Sequence, residues 1–197
     1  MEPELSGWDR RRQQLLDEYE RVALTLFADR GYHSVTIEDI AVEAHISQRT
    51  LFRYFATKED MLLRLPRRGV VAVTSSFGDL APRPDAVTAA WRHLRTCYRT
   101  SRPDAELAQL WRRAASGAPE VVARARGERI EAVIDAVSTY LLRSLGPGAR
   151  PDVRARVYAG ILAGGELAVI ESFGRGDDAE RIFDAAEAAL RELARGV

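Results

Sequence analysis

The 197-residue sequence predicts an all-α fold, and three observations carry that reading. Apolar residues recur at three- and four-residue spacing along nearly every segment, the mark of one buried helical face. Strand-like alternation never runs longer than a few residues, and no internal repeat is present. Clusters of Gly, Pro and Ser at 101–103, 116–119, 146–151 and 174–178 cut the chain into pieces of helical length.

Taken in order, Leu15, Tyr19, Val22 and Leu26 form one face of a helix over about 8–30, which Gly31 stops by accepting a left-handed conformation. Three short helices follow. Thr36 caps one through Ile37, Ile40, Ala41 and Ala44, with Glu38 and Asp39 in its first turn. Ser47 caps a second through Leu51, Phe52 and Phe55. Thr57 caps a third, with Asp60 at the capping-box position and Met61, Leu62 and Leu65 behind it. Pro66 is expected to disturb that helix near its end. Residues 74–84 read as a linker, with Ser75, Ser76, Gly78, Pro82 and Pro84. Longer helices are expected over about 85–100, 104–115, 119–144, 151–173 and 177–195.

Composition narrows the class without naming a function. Hydrophobic residues make up 46% and charged residues 29%, an ordinary globular mix. Cys97 is the single cysteine, so no internal disulfide framework exists, and a reducing compartment is expected. The first residues are acidic with no apolar core, and no apolar run reaches the ~18 residues of a spanning helix. The expectation is a soluble, cytoplasmic protein. Net charge is zero, and neither half is basic: residues 1–68 carry 11 Lys+Arg against 12 Asp+Glu, and residues 69–197 carry 18 against 17. Any contact with nucleic acid must come from a local arrangement of charge.

Residues 35–58, VTIEDIAVEAHISQRTLFRYFATK, carry the most information. Two capped helices flank a turn at 44–47. Ala41 and Ala44 are small where the helices must approach, Ile46 plugs the gap, and Leu51 and Phe55 give the second helix a buried face. This arrangement projects a recognition helix into a major groove. The run from Ala23 to Leu63, about 40 residues, resembles the DNA-binding region of the tetracycline-repressor (TetR) family, in its actinobacterial form. The matching pieces are Leu26-Phe27, Gly31-Tyr32, Thr36-Ile37, Ile40-Ala41, Ile46-Ser47, Leu51-Phe52, Tyr54-Phe55 and Lys58-Glu59. The bland alternative is three ordinary bundle helices, in which Phe52 and Phe55 are only core.

The resemblance implies a helix-turn-helix DNA-binding domain over 1–68 and a helical effector-binding and dimerisation domain over 69–197. It implies a ligand-responsive transcriptional regulator, a homodimer on double-stranded operator DNA, released by a small hydrophobic effector of an acyl-thioester-like class. It implies neither enzyme activity nor a cofactor. By the same resemblance, Thr36 and Ser47 hold phosphates at helix starts, and Gln48, Arg49 and Thr50 read base edges, with Arg53 in reserve. Tyr54 and Lys58 then contact backbone phosphates. Two residues depart from the family pattern. His45 stands at a turn position usually held by glycine, and Phe52 where tyrosine is frequent.

Other features have plainer alternatives. Arg10, Arg11 and Arg12 read as a solvated helix start ahead of a minor-groove arm. His93 and Cys97 share a zinc-compatible spacing, but no second ligand pair is visible, so packing is the better reading. Trp91, Leu94, Tyr98, Trp111, Tyr140 and Tyr158 are candidates for lining an effector cavity, and each is equally a candidate for plain core. Val157, Gly160, Ile161 and Gly164 on one helix, with Phe183, Ala186 and Leu190 on the last, are the candidate dimer interface. Two competing functions remain: a helical enzyme fused to a DNA-binding domain, for which no catalytic signature exists, and a constitutive DNA-binding protein with a filled core.

Overall fold

The structure, a computed structural model, describes residues 6–101, 104–145, 153–173 and 179–194. Among them all regular structure is helical: α1 (Gly7–Arg30), α2 (Ile37–Glu43), α3 (Gln48–Phe52), α4 (Lys58–Asp79), α5 (Ala86–Thr100), α6 (Ala105–Ala115), α7 (Pro119–Ser144), α8 (Val153–Phe173) and α9 (Ala179–Ala194). None of the described helices is long and apolar enough to cross a membrane. The all-α expectation holds, and the element boundaries fall close to those read from the sequence except at α4, which runs well past Pro66 to Asp79.

The described residues pack into two compact units. One is drawn from Met1–Pro66 and Pro103–Ala125, the other from Arg67–Arg102 and Arg126–Val197. A cut at 68/69 therefore does not coincide with the packing, because α6 returns to lie along α1. Ala114, Ala118 and Val121 share a core with Phe27, Leu51 and Leu62.

In the first unit, Ser6 caps α1 by accepting the Asp9 N–H at 3.1 Å, and Gly31 ends it at φ 85°, a backbone that a side chain would strain. Pro66 does not break α4, contrary to expectation. Proline has no N–H, so the Leu62 carbonyl one turn back loses its helical donor. The Trp111 indole supplies one instead, with Nε1 donating to the Leu62 carbonyl at 2.8 Å. Trp111 therefore belongs to this unit, half-buried against its core.

In the second unit, α4 extends to Asp79, so the first six residues of the expected linker are helical. Their hydroxyls are satisfied within the helix: Thr74 donates to the Val70 carbonyl at 3.0 Å and Ser75 to the Val71 carbonyl at 2.7 Å. Val73 and Phe77 meanwhile turn into the core. Trp91 is the centre of that core. Its Nε1 donates to the Phe183 carbonyl at 3.1 Å, and its ring lies so near Gly165 that a Cβ there would come within 3.0 Å.

Charge ties α9 to α5. Arg95 donates to Glu180 at 2.8 Å and to Asp184 at 2.7 Å, Arg99 donates to Glu180 at 2.7 Å, and Arg92 reaches Glu187 at 3.1 Å. A second, more buried pair joins Arg129 to Glu166, whose side chains are 12% and 4% exposed. His93 and Cys97 meet at Ser76, whose hydroxyl lies 2.8 Å from His93 Nε2 and 3.2 Å from Cys97 Sγ. Burial pulls the His93 pKa down and pushes the Cys97 thiol up.

Candidate nucleic-acid interface

Residues 36–60 fold through contacts that are nearly all local. Thr36 and Asp39 make a reciprocal capping box at the start of α2: the Thr36 hydroxyl accepts the Asp39 N–H at 3.1 Å, and the Asp39 carboxylate accepts the Thr36 N–H at 2.7 Å. These bonds hold the Asp39 carboxyl below the usual carboxylate range, the Thr36 hydroxyl foremost among them. Thr57 and Asp60 repeat the box at the start of α4, at 3.0 and 3.1 Å. Ser47 caps α3 by accepting the Thr50 N–H at 3.1 Å.

The turn between α2 and α3 is held by Ile46, whose N–H donates back to the Ala41 carbonyl at 3.0 Å. His45 takes φ 55° there, the one non-glycine residue with positive φ among those described. Histidine tolerates this region better than most side chains, and its ring stays exposed. Leu51 and Phe55 are buried below the turn, as their spacing predicts.

The candidate DNA-contacting side chains do not all have the same freedom. Gln48, Arg49 and Arg53 are exposed, as a reader of base edges or phosphates must be. Thr50 is half-buried, and its hydroxyl lies 2.9 Å from the Ser47 hydroxyl. The Thr36 hydroxyl donates to Asp39 at 2.6 Å, beside a carboxylate that would repel a phosphate. Lys58 spends two of its three N–H donors internally, on the Tyr32 carbonyl at 2.8 Å and the Val35 carbonyl at 3.0 Å, over the Tyr32 ring. Tyr54 is half-buried, edge-on to Tyr19 at 5.3 Å, with the Arg53 guanidinium over its ring at 5.8 Å. Tyr19 therefore positions Tyr54. The sequence marks Tyr19 only as part of an apolar stripe.

The six cavity candidates separate. Trp91, Leu94, Tyr98 and Tyr140 share the second unit's core, Trp111 sits in the first unit, and Tyr158 is 42% exposed. The dimer candidates divide too. Val157 and Ile161 are exposed, and a Cβ on Gly160 or Gly164 would meet open space. Phe183 is corrected: it is fully buried against Trp91 and Tyr98, so it faces its own subunit, and Ala186 is half-buried against the same core. The side chain of Leu190 lies outside the described residues.

Residues 21–65 match the family of bacterial regulatory proteins called the tetR family. Over 56 residues the chain is 45% identical to MftR of Mycobacterium tuberculosis, named as a transcriptional regulator of mycofactocin biosynthesis; that span is 28% of either chain. Over 57 residues it is 44% identical to the HTH-type transcriptional repressor KstR2 of Rhodococcus jostii, covering 29% of this chain and 26% of that one. The matched segment thus spans about a quarter of these relatives. Solved structures extend the likeness of fold to almost the whole chain. A TetR-family regulator from Syntrophomonas wolfei aligns with TM-score 0.64 and 16% identity, covering 94% of this chain and 97% of that one. A TetR-like regulator from Rhodococcus sp. RHA1 aligns with TM-score 0.51 and 24% identity, covering 96% and 98%.

Proposed function

With an N-terminal domain that belongs to the tetR family of bacterial regulatory proteins, we propose that this chain is a cytoplasmic, homodimeric, operator-binding transcriptional regulator, acting as a repressor. One observation carries the reading most: Gln48 and Arg49 stand exposed at the start of α3, while the turn and caps around them are internally satisfied. Arginine suits guanine and glutamine suits adenine in the major groove. Arg53, Tyr54 and the remaining N–H of Lys58 serve the phosphates. Thr36, Ser47 and Thr50 act chiefly by holding the helices. The likeness to KstR2, which is named as a repressor, supports that direction of control.

Dimerisation is proposed through the exposed α8 face of Val157, Gly160, Ile161 and Gly164. Leu190 is the proposed contribution of α9. Effector response is proposed within the second unit's core, near Trp91, Leu94, Tyr98 and Tyr140. In its support, the hydroxyls of Tyr140 and Ser138 are buried without a hydrogen-bond partner among the described residues. An unpaired buried hydroxyl is costly, and a bound ligand would relieve it.

Selection of DNA fragments from a random pool tests the first part. The protein should enrich one palindromic sequence, and Arg49→Ala or Gln48→Ala should relax preference at one or two positions, at about 1–3 kcal/mol each. An unchanged preference in both variants would move base reading elsewhere. A thermal-shift panel that includes acyl-thioesters tests the second. A stabilising compound that also releases DNA supports effector control, and a panel without one favours a constitutive binder with a filled core. Gly164→Arg tests the third: a folded monomer with weakened operator affinity supports the α8 face, and an intact dimer removes it.

A further inference from the structure

We infer that Arg11 and Arg12, on the second turn of α1, contact DNA backbone phosphates and extend the protein–DNA interface beyond the helix-turn-helix. The inference rests on the DNA-binding reading above. It starts from where this charge-neutral chain leaves its arginines unneutralised. In the first unit most other cations have partners: Arg64 bonds Asp17 and Glu20, Arg113 bonds Asp29, Arg124 bonds Glu59, Arg21 bonds Glu106, and Lys58 bonds two carbonyls. Arg10, Arg11, Arg12, Arg49 and Arg53 are exposed and make no ion pair with a described carboxylate, although Asp9 lies next to them in sequence. Asp9 is occupied instead at the helix cap, accepting the Ser6 hydroxyl at 2.7 Å. Apart from Arg30 at the other end of α1, the exposed cations of this unit without an ion pair among the described residues gather at two places, the recognition helix and the start of α1.

Geometry joins the two. At 100° per residue, Arg11 and Arg12 fall on the side of α1 that carries Tyr19. Tyr19 packs edge-on against Tyr54 at 5.3 Å, and Arg53 lies over Tyr54. Burial raises the pKa of the Tyr19 phenol, Tyr54 and Glu18 add to the rise, and Arg53 and Arg11 both pull it back, so both guanidinium groups act on the same atom. The Arg64 contacts with Gln13, Asp17 and Glu20 occupy a different side of the helix and fix its rotation. A duplex seated on α3 therefore lies near a second group of cations: Arg11, which with Arg53 acts on the Tyr19 phenol, and Arg12 on the same side of α1. The partner chemistry is the phosphodiester backbone. Two arginines beyond the groove position the protein without reading sequence.

The test compares wild type, Arg11→Ala/Arg12→Ala, Arg11→Lys/Arg12→Lys, Arg49→Ala and Arg113→Ala on the selected operator and on random duplex DNA across a salt series. Helicity is checked for each. The alanine pair should weaken binding about tenfold or more on both DNAs, leave the selected sequence unchanged, and lower the salt slope by about 0.9 for each phosphate contact removed. The lysine pair should retain the slope, and Arg113→Ala should match wild type. An unaltered slope in the alanine pair, with Arg49→Ala still impaired, overturns this inference alone. Absence of DNA binding by wild type overturns the DNA-binding reading and the inference with it. A changed sequence preference in the alanine pair would also overturn it, since base reading would then reach α1.

Discussion

The helix-turn-helix segment and the α5–α9 seam are stabilised over very different distances along the chain. Between Thr36 and Asp60, caps close across three residues, Thr36 with Asp39, Ser47 with Thr50 and Thr57 with Asp60. Along the seam, Arg95 meets Glu180 across 85 residues, Trp91 meets the Phe183 carbonyl across 92, and Arg92 meets Glu187 across 95. A local bond forms as soon as its turn forms. A seam bond waits for the chain to close a long loop, which costs entropy before it returns any contact. The reading head should therefore tolerate change in the second unit, whereas the seam depends on charges and rings that no local pattern reinforces.

The largest test of that difference is the buried pair of the second unit. Arg129→Ala leaves Glu166 buried with an uncompensated charge and should cost about 3–5 kcal/mol in urea unfolding. Replacing both with methionine should cost much less. Equal losses in the two variants would assign the cost to packing rather than to charge.

A smaller effect is expected at Trp111. Trp111→Phe keeps most of the ring volume and removes the N–H that serves the Leu62 carbonyl, at about 1–2 kcal/mol. In a Pro66→Ala background the restored backbone N–H should serve that carbonyl, so the same substitution should cost less. A double-mutant cycle with no coupling would dismiss the compensation.

The seam should also respond to acid. Bonds from Arg99 and Arg95 hold Glu180 down to about 2 from its ordinary 4.5. Because the folded value is depressed, the stabilisation is complete above pH 4.5 and is lost as pH falls toward 2. Glu180 is 39% exposed, so salt should screen the effect. Thermal melts from pH 5 to 2 should show the loss, and Glu180→Gln should flatten it.

The smallest change is expected in the local region. His45→Gly relieves the left-handed backbone at φ 55° but adds chain freedom, for a net gain of about 0.5–1 kcal/mol. His45→Val should instead destabilise. A destabilised glycine variant would mean that the ring makes a contact worth more than the strain.

This contrast also explains how far the sequence could be read. Caps, breakers and the Leu51–Phe55 face depend on residues within one or two turns, and these were legible. Pro66 reads as a helix breaker because the donor that rescues its helix is 49 residues away from the carbonyl it serves. Lys58 reads only as a phosphate contact, because nothing local shows the Tyr32 and Val35 carbonyls, 26 and 23 residues off, that also take its N–H groups. Phe183 lies on a genuine apolar stripe, but periodicity tells that a face is covered, not whether Trp91 or a second subunit covers it. Trp111 is covered by the first unit's core for the same reason, whereas Tyr158 stays 42% exposed.

Lys58 is the only lysine in the chain. Its ammonium, half-buried and bonded to two carbonyls, is the single side-chain amine offered to acylating reagents. Acylation needs a free nitrogen lone pair and room for the reagent, and the two carbonyl bonds and the packing over the Tyr32 ring restrict access to both. Amine-directed labelling should therefore be slow in the native protein and should accelerate only as this part of the first unit opens. A mass-spectrometric time course at that one position would report how often the reading head comes apart, without an introduced probe.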